Sequence, residues 1–407
     1  MFRGGGFRNF SVTSQASWRV STRQARVPAP RPRRQFQGRM TATPVTVCDV
    51  FVAGGGPAGS AAAIALARAG LVVSLAELSH YDTWRPGESL PARVLDILGE
   101  LGASATLLRD GARAGQGLDS AWGAPGVVSK TGRDPASVFA WQVDRRRFDQ
   151  SLAEHARRAG AEVRLGARVV GVERDGERWR VSLLESEGRA EVRAGFLIDA
   201  TGRAAVVGRR AGARQVRWDR LVSLAAALAP RGAAPPGGPN LLVESAPGGW
   251  WYSLPVPDGS LFIAYQTDAD LVAGGATQAA WSEALLEAPE TARRAAGCHA
   301  PHQFRVTDAG TSVLVPAAGS GWLAVGDAAA APDPLAGDGV WRALRSAVLG
   351  VAAVRRALDG DAEGIERYAL RSGQEFQQYL RDRARFYGEE RRFAESPFWR
   401  RRLPTPG

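Results

Sequence analysis

Lysine is almost missing from this chain. Of 52 basic residues one is lysine, Lys130, and 51 are arginine. That removes the amine from nearly every mechanistic role. It leaves guanidiniums, which stay charged and grip carboxylates and phosphates with a planar fork. Cysteine is scarce too: Cys48 and Cys298 cannot build a disulfide framework. Cys298-His299-Ala-Pro-His302 offers three ligands on one short loop, but no second cluster accompanies it, so no metal is expected. No apolar run approaches the roughly 18–20 residues of a membrane-crossing helix. Acidic residues are absent from the first 40 positions, which hold nine arginines. This Gly-, Pro-, Ser- and Arg-rich tail is expected to be disordered. It lacks the apolar core of a secretory signal and has the Arg-rich, acid-free composition of a transit peptide. Met40 stands just before the first apolar segment, so residues 1–39 read as the product of an upstream start codon. Beyond the tail, 43 basic residues face 41 acidic ones, a balance that gives nucleic-acid binding no support. A cytoplasmic location is expected.

Glycine, by contrast, marks three strand ends. The first is Val50-Phe-Val-Ala-Gly-Gly-Gly-Pro-Ala-Gly-Ser60. Gly54, Gly56 and Gly59 fit G-x-G-x-x-G between an apolar run and an Ala-rich segment that Pro57 and Ala58 open and that favours helix. Gly54 permits the tight turn, Gly56 lets a pyrophosphate approach the backbone, and Gly59 lets helix pack on strand. A second strand, Leu71–Ala76, ends at Glu77, 18 residues past Gly59, where a dinucleotide-binding βαβ unit places the acid that holds a ribose. Arg85 and Glu88 follow in a loop beside this turn. The second and third strand ends are Phe196-Leu-Ile-Asp199-Ala-Thr-Gly202 and Trp322-Leu-Ala-Val-Gly326-Asp327. Ends so far apart in sequence meet only if the chain returns repeatedly to one parallel sheet, at whose carboxyl edge ligands gather.

Residues 220–265 alternate and turn often, as an antiparallel sheet does. The pattern predicts an α/β protein. A Rossmann-like dinucleotide-binding domain spans 41–205 and 305–360, with part of 103–140 covering the site. An antiparallel-sheet substrate domain is inserted at 206–304, and a C-terminal helical segment occupies 361–407.

The three glycine turns, in this order and spacing, resemble the FAD-dependent monooxygenase superfamily with the para-hydroxybenzoate hydroxylase type of fold. Arg85-Pro-Gly-Glu88-Ser-Leu-Pro91, Val143-Asp-Arg145-x-x-Phe148-Asp149, Trp250-Trp-Tyr-Ser-Leu-Pro255 and Phe398-Trp-Arg-Arg are similar to its tryptophan-halogenase-like branch. Within that branch the likeness runs to flavoprotein monooxygenases that mature tryptophylquinone enzymes. The resemblance implies FAD as cofactor. Asp327 would bond the ribityl hydroxyls, and Arg85 and Arg145 would lie beside the cofactor. Gly337 and Gly339 would turn backbone N–H groups toward the flavin N1/O2 edge, and Pro334 would wall the ring. Ala200 and Gly202 would lie near the adenosine portion or the entry for nicotinamide.

The implied reaction is hydroxylation of an electron-rich, indole-like aromatic, free or as a peptidyl tryptophan, through a flavin C4a-hydroperoxide. O2 is the co-substrate, and NAD(P)H or an external flavin reductase supplies electrons. The cofactor carries the hard step, so the protein must chiefly exclude water. Trp122, Trp250, Trp251 and Tyr252 are candidates to line that pocket, and Glu88 is the candidate polar group near the flavin. Halogenation is the close alternative. Halogenases of this branch use a lysine and a W-x-W-x-I-P motif, from which Trp250-Trp-Tyr-Ser-Leu-Pro255 departs, and the surroundings of Lys130 do not resemble that lysine's. An FAD-dependent reductase of an unsaturated substrate is a further alternative.

Overall fold

The computed structural model describes residues 45–85, 89–104, 111–131, 140–233, 237–272, 274–361 and 363–403. Strand β1 (Val45–Ala53), helix α1 (Pro57–Arg68) and strand β2 (Val73–Glu77) form the expected βαβ unit. Helix α2 (Arg145–Arg158), capped by the Asp144 carboxylate on the N–H groups of Arg146 and Arg147, leads into β3 (Glu162–Leu165). Strand β4 (Gly188–Asp199) returns to pair with β1 in parallel. The inserted portion supplies β5 (Leu221–Pro230), β6 (Leu241–Ala246), β7 (Gly249–Pro255), β8 (Leu261–Asp268) and β9 (Cys298–Asp308). Strand β10 (Trp322–Ala324) rejoins the first sheet, followed by helices α3 (Gly339–Leu358), α4 (Glu363–Glu389) and α5 (Pro397–Arg400).

The parallel sheet runs β10–β4–β1–β2–β3. Its central strands are apolar on both faces, as sheets covered on both sides must be. Helices α1, α2 and α3 cover one face. The antiparallel strands Arg168–Asp175 and Arg178–Glu185 cover the other. Ala61, Ala62 and Ala63 are fully buried where α1 meets the sheet, so small side chains let it sit close. At Gly59 a Cβ would stand 1.8 Å from the carbonyl oxygen of Gly54. The helix can lie where it does only because that atom is missing.

The second sheet runs β9–β5–β8–β7–β6 and continues into Gly117–Ala121 and Val128–Thr131. Those last two strands come from the glycine-rich stretch in which no periodicity is visible. Gly117–Ala121 pairs in parallel with β6, across more than a hundred residues of sequence. The C-terminal motif packs on the face of this sheet that carries Trp250. The Trp399 Nε1 donates to the Ala246 carbonyl at 2.8 Å, and Arg402 reaches the buried Asp268 at 2.6 Å. Helix α4 is charged outward, but buries Tyr368, Phe376, Tyr379 and Tyr387 along its other face.

Gly54 sits at φ +101°, and a Cβ there would lie 2.3 Å from the Ala200 carbonyl oxygen. A Cβ at Gly56 would meet nothing within 4 Å. Gly54→Ala is therefore expected to destabilise the unliganded protein by about 1–3 kcal/mol. Gly56→Ala should shift it by no more than roughly half a kcal/mol. Chemical denaturation of both variants checks this, and equal losses would contradict it.

Candidate active site

Three adjacent parallel strands end at one level: Ala53 is in register with Asp199, and Asp199 with Ala324. The three glycine turns therefore open side by side at the carboxyl edge of the sheet. Asp199 shapes the middle turn and does not face the opening. Its fully buried carboxylate accepts from Thr201 N at 3.0 Å, Thr201 Oγ at 2.6 Å and Gly208 N at 2.8 Å. Burial pushes its pKa upward, and those hydrogen bonds oppose the shift.

Between these turns and the facing side of the second sheet lies a cavity of about 440 Å³. Gly56, Pro57, Ala58, Arg145, Ala200, Gly202, Asp327, Pro334, Gly337 and Gly339 form its wall on the parallel-sheet side. Leu241, Val243, Trp250, Tyr252, Ser223 and Thr307 form the opposite wall. No side chain caps the N-terminus of α1 or of α3, and both begin at this wall. Two positive dipole ends with free N–H groups thus converge on one space, the arrangement that binds phosphate and other anions. Gly56, Gly337 and Gly339 each leave open the space a Cβ would fill. An extended anionic dinucleotide fits this lining.

Asp327 stands on the cavity floor. Its side chain is 37% open, toward the cavity, and lies 3.6 Å from Arg203 Nε. Its deep position pushes its pKa above the ordinary carboxylate value, while Arg203 and Arg145 pull it back. Arg203 also donates to the carbonyls of Gly310 and Pro332, the latter at 2.7 Å, so it ties the middle turn to the loop that precedes α3. Sequence reading passed over Arg203. The signal was its position directly after Asp199-Ala-Thr-Gly202.

Glu77, Arg85, Gly54 and Gly59 are not in the cavity wall. Glu77 accepts the Gly55 N–H at 2.7 Å and pairs with Arg85 at 3.2 Å, holding the first turn from behind. Tyr81 donates to the Gly55 carbonyl at 2.7 Å. Arg85 reaches Asp149 at 3.0 Å, and Asp149 also pairs with Arg145 at 3.2 Å. A chain of charges thus runs from the turn, through the fully buried Asp149, to the cavity wall. Glu88 lies outside the described residues.

The aromatic run divides. Successive strand residues point to opposite faces, so Trp250 and Tyr252 face the cavity and Trp251 does not. Trp251 is fully buried on the other side, stacked on Tyr265 at 4.4 Å and edge-on to Trp281 at 5.6 Å. Trp122 stands behind the wall. It packs edge-on against Trp250 and Trp399, and its indole N–H donates to the Phe386 carbonyl at 3.0 Å. These two are packing residues, a correction to their expected place in the pocket. Helix α4 braces both walls. The Tyr387 hydroxyl accepts from Trp250 Nε1 at 3.0 Å, and Arg383 holds the buried Asp333 at 2.9 Å. No group of His, Cys, Asp and Glu side chains among the described residues is arranged to hold a metal.

The Asp327 shift has a pH signature. A raised pKa means that the folded protein holds this proton more tightly than the unfolded chain. The resulting stability is complete below the ordinary carboxylate pKa and is lost as pH rises through the raised value. In unliganded protein, Asp327→Asn should therefore raise the thermal midpoint at neutral pH, with the gain fading in acid. Scans at both pH values check this, and a lower midpoint at neutral pH would contradict it.

The family described as FAD binding domain matches residues 47–378. The tryptophan 2-halogenase of Chondromyces crocatus is 29% identical over 77% of this chain and 62% of its own length. The chain thus spans less than two thirds of that relative. The structure of the myxobacterial chondrochloren halogenase CndH matches with a TM-score of 0.81 at 28% identity, covering 88% of this chain and 86% of that one. The peptidyl tryptophan dihydroxylase QhpG, essential for tryptophylquinone cofactor biogenesis, matches with a TM-score of 0.71 at 28% identity, over 88% and 79% of the two chains. The chain therefore belongs to the FAD binding domain family and is a flavin-dependent enzyme.

Proposed function

We propose that this protein hydroxylates an electron-rich, indole-like aromatic, free or as a tryptophan in a polypeptide. One observation carries the choice of oxygen over halogen. Lys130, the only lysine in the chain, is exposed on Val128–Thr131 and is not part of the cavity wall. No amine is therefore available beside the reacting atoms to handle an oxidised halide. The departure of Trp250-Trp-Tyr-Ser-Leu-Pro255 from the halogenase motif agrees. The likeness to a peptidyl tryptophan dihydroxylase supports the substrate class.

In this reading the N-terminus of α1, with Gly56 and Ala58, receives the pyrophosphate. Glu77 and Arg85 hold the adenosine end through the first turn, and Ala200 and Gly202 flank it. Asp327 accepts hydrogen bonds from ribityl hydroxyls, with Arg145 and Arg203 balancing its charge. Gly337 and Gly339 present N–H groups of the α3 terminus to the flavin, and Pro334 walls it. When bound, the flavin supplies the activation of O2, with electrons from NAD(P)H or a partner reductase. The chain's own work is positional. Trp250, Tyr252, Leu241 and Val243 hold the aromatic ring in an apolar space and keep water out, which protects a reactive oxidant from wasteful decay. We assign the cofactor domain to 41–205 and 305–360, the substrate domain to 206–304, and the site to the cytoplasm.

The test is turnover of indoles and tryptophan-bearing peptides by the reduced FAD-loaded protein, with and without chloride or bromide, read by product mass. Oxygen should enter in both conditions, and Lys130→Ala should turn over at the wild-type rate. A halogenated product that Lys130→Ala abolishes would overturn the choice.

A further inference from the structure

Thr307, Ser223, Gln266 and Trp250 stand in one row across β9, β5, β8 and β7. Cross-strand partners share a face, and Thr307, Ser223 and Trp250 all line the cavity. The row therefore crosses the cavity wall that the second sheet provides. Gln266 lies between Ser223 and Trp250 and is fully buried.

The Gln266 Nε2 donates to Ser223 Oγ at 2.8 Å. Its Oε1 is buried and has no partner among the described residues. A buried acceptor left unmet costs stability, and an apolar side chain of the same shape would avoid that cost. Packing alone thus gives no reason for an amide here. What the amide does is set the direction of the serine. A hydroxyl that has accepted from Nε2 still has its own proton to give, and no described residue takes the proton of Ser223. The Thr307 hydroxyl is likewise unspent among the described residues. Trp250, by contrast, has given its N–H to Tyr387. Directly paired residues of an antiparallel ladder lie roughly 5 Å apart, so Ser223 and Thr307 offer neighbouring donors on an otherwise apolar wall. The row carries no charge, and a carboxylate set against it would lack a cation there.

We propose that Ser223, held by Gln266 and with Thr307 beside it, is a specificity subsite for a neutral carbonyl oxygen carried next to the aromatic ring of the substrate. An amide, ester or ketone supplies such an oxygen, and an unsubstituted indole does not. Ser223 touches the substrate, whereas Gln266 acts through Ser223 and is a positioning residue. The bond that Ser223 accepts from Gln266 polarises its O–H and makes it the better donor. The proposal rests on the reading of the cavity as an aromatic-modifying site, and narrows its substrate class to rings that bear a carbonyl group.

The probes are indoles matched in shape, an acetyl against an isopropyl substituent and an oxobutyl against a methylbutyl one. Within each pair a carbonyl oxygen takes the place of a methyl group. Affinities for oxidised, FAD-loaded protein are read by calorimetry. For at least one pair, Ser223→Ala should lower the ratio of carbonyl to hydrocarbon affinity about fivefold, the worth of one neutral hydrogen bond. Gln266→Met keeps an unbranched side chain without the amide. It should lower the same ratio and leave the thermal midpoint of the unliganded protein unchanged or higher. A glutamine with a merely structural role would lose midpoint and keep the ratio. Ratios equal to wild type in both variants overturn the proposal, as does wild-type protein that binds neither carbonyl probe. Product masses from the reduced protein are read separately. Oxygen transfer with unchanged ratios removes the subsite and leaves the monooxygenase reading standing, and lowered ratios without oxygen transfer do the reverse.

Discussion

The shared level of three parallel strand ends is the constraint on which the rest of the molecule depends. Ala53, Asp199 and Ala324 lie in one line across β1, β4 and β10. Because the strands are parallel, all three turns emerge on the same edge, and helices α1 and α3 start there with their N–H groups unspent. Slippage of one strand would carry Asp327 or the first glycine turn out of the cavity wall. The register is fixed by burial on both faces, since a shift would bring polar residues into the core. Asp199 adds a local lock, spending its carboxylate on Thr201 and Gly208.

The second sheet adds the apolar half of the site, and helix α4 joins the halves. Arg383 grips Asp333 on the loop that enters α3, and also Asp219 at 2.6 Å, beside the second sheet. One helical turn later, Tyr387 holds Trp250. These groups are almost wholly buried, so their hydrogen bonds are costly to leave unmade. The helix thus sets the spacing between the wall that faces the cofactor and the wall that faces the aromatic ring.

Much of this was legible in the sequence, for identifiable reasons. Glycine turns are local and each has a steric cause, so Gly54, Gly56 and Gly59 could be read one at a time. Their meeting at one edge followed from the topology of α/β sheets. The division of Trp250, Trp251 and Tyr252 was also written in the strand's alternation, although a run of aromatics reads first as a single patch. Other features left no local trace. The strands Gly117–Ala121 and Val128–Thr131 join the second sheet through pairing with β6, and their glycine-rich surroundings hide any period. The partnerships of Arg203 with Asp327, Arg383 with Asp333 and Asp149 with both Arg85 and Arg145 span the fold. In a chain with 51 arginines, no single guanidinium announces its partner.

The central claim is that oxygen, and not halogen, passes to an aromatic ring held against Trp250 and Tyr252. The most direct measurement is the mass of the product formed by reduced, FAD-loaded protein under isotopically heavy dioxygen with bromide present. A single heavy oxygen atom on the ring or rings of the substrate is the expected result. Bromine on the ring, or oxygen drawn from water, would contradict the account.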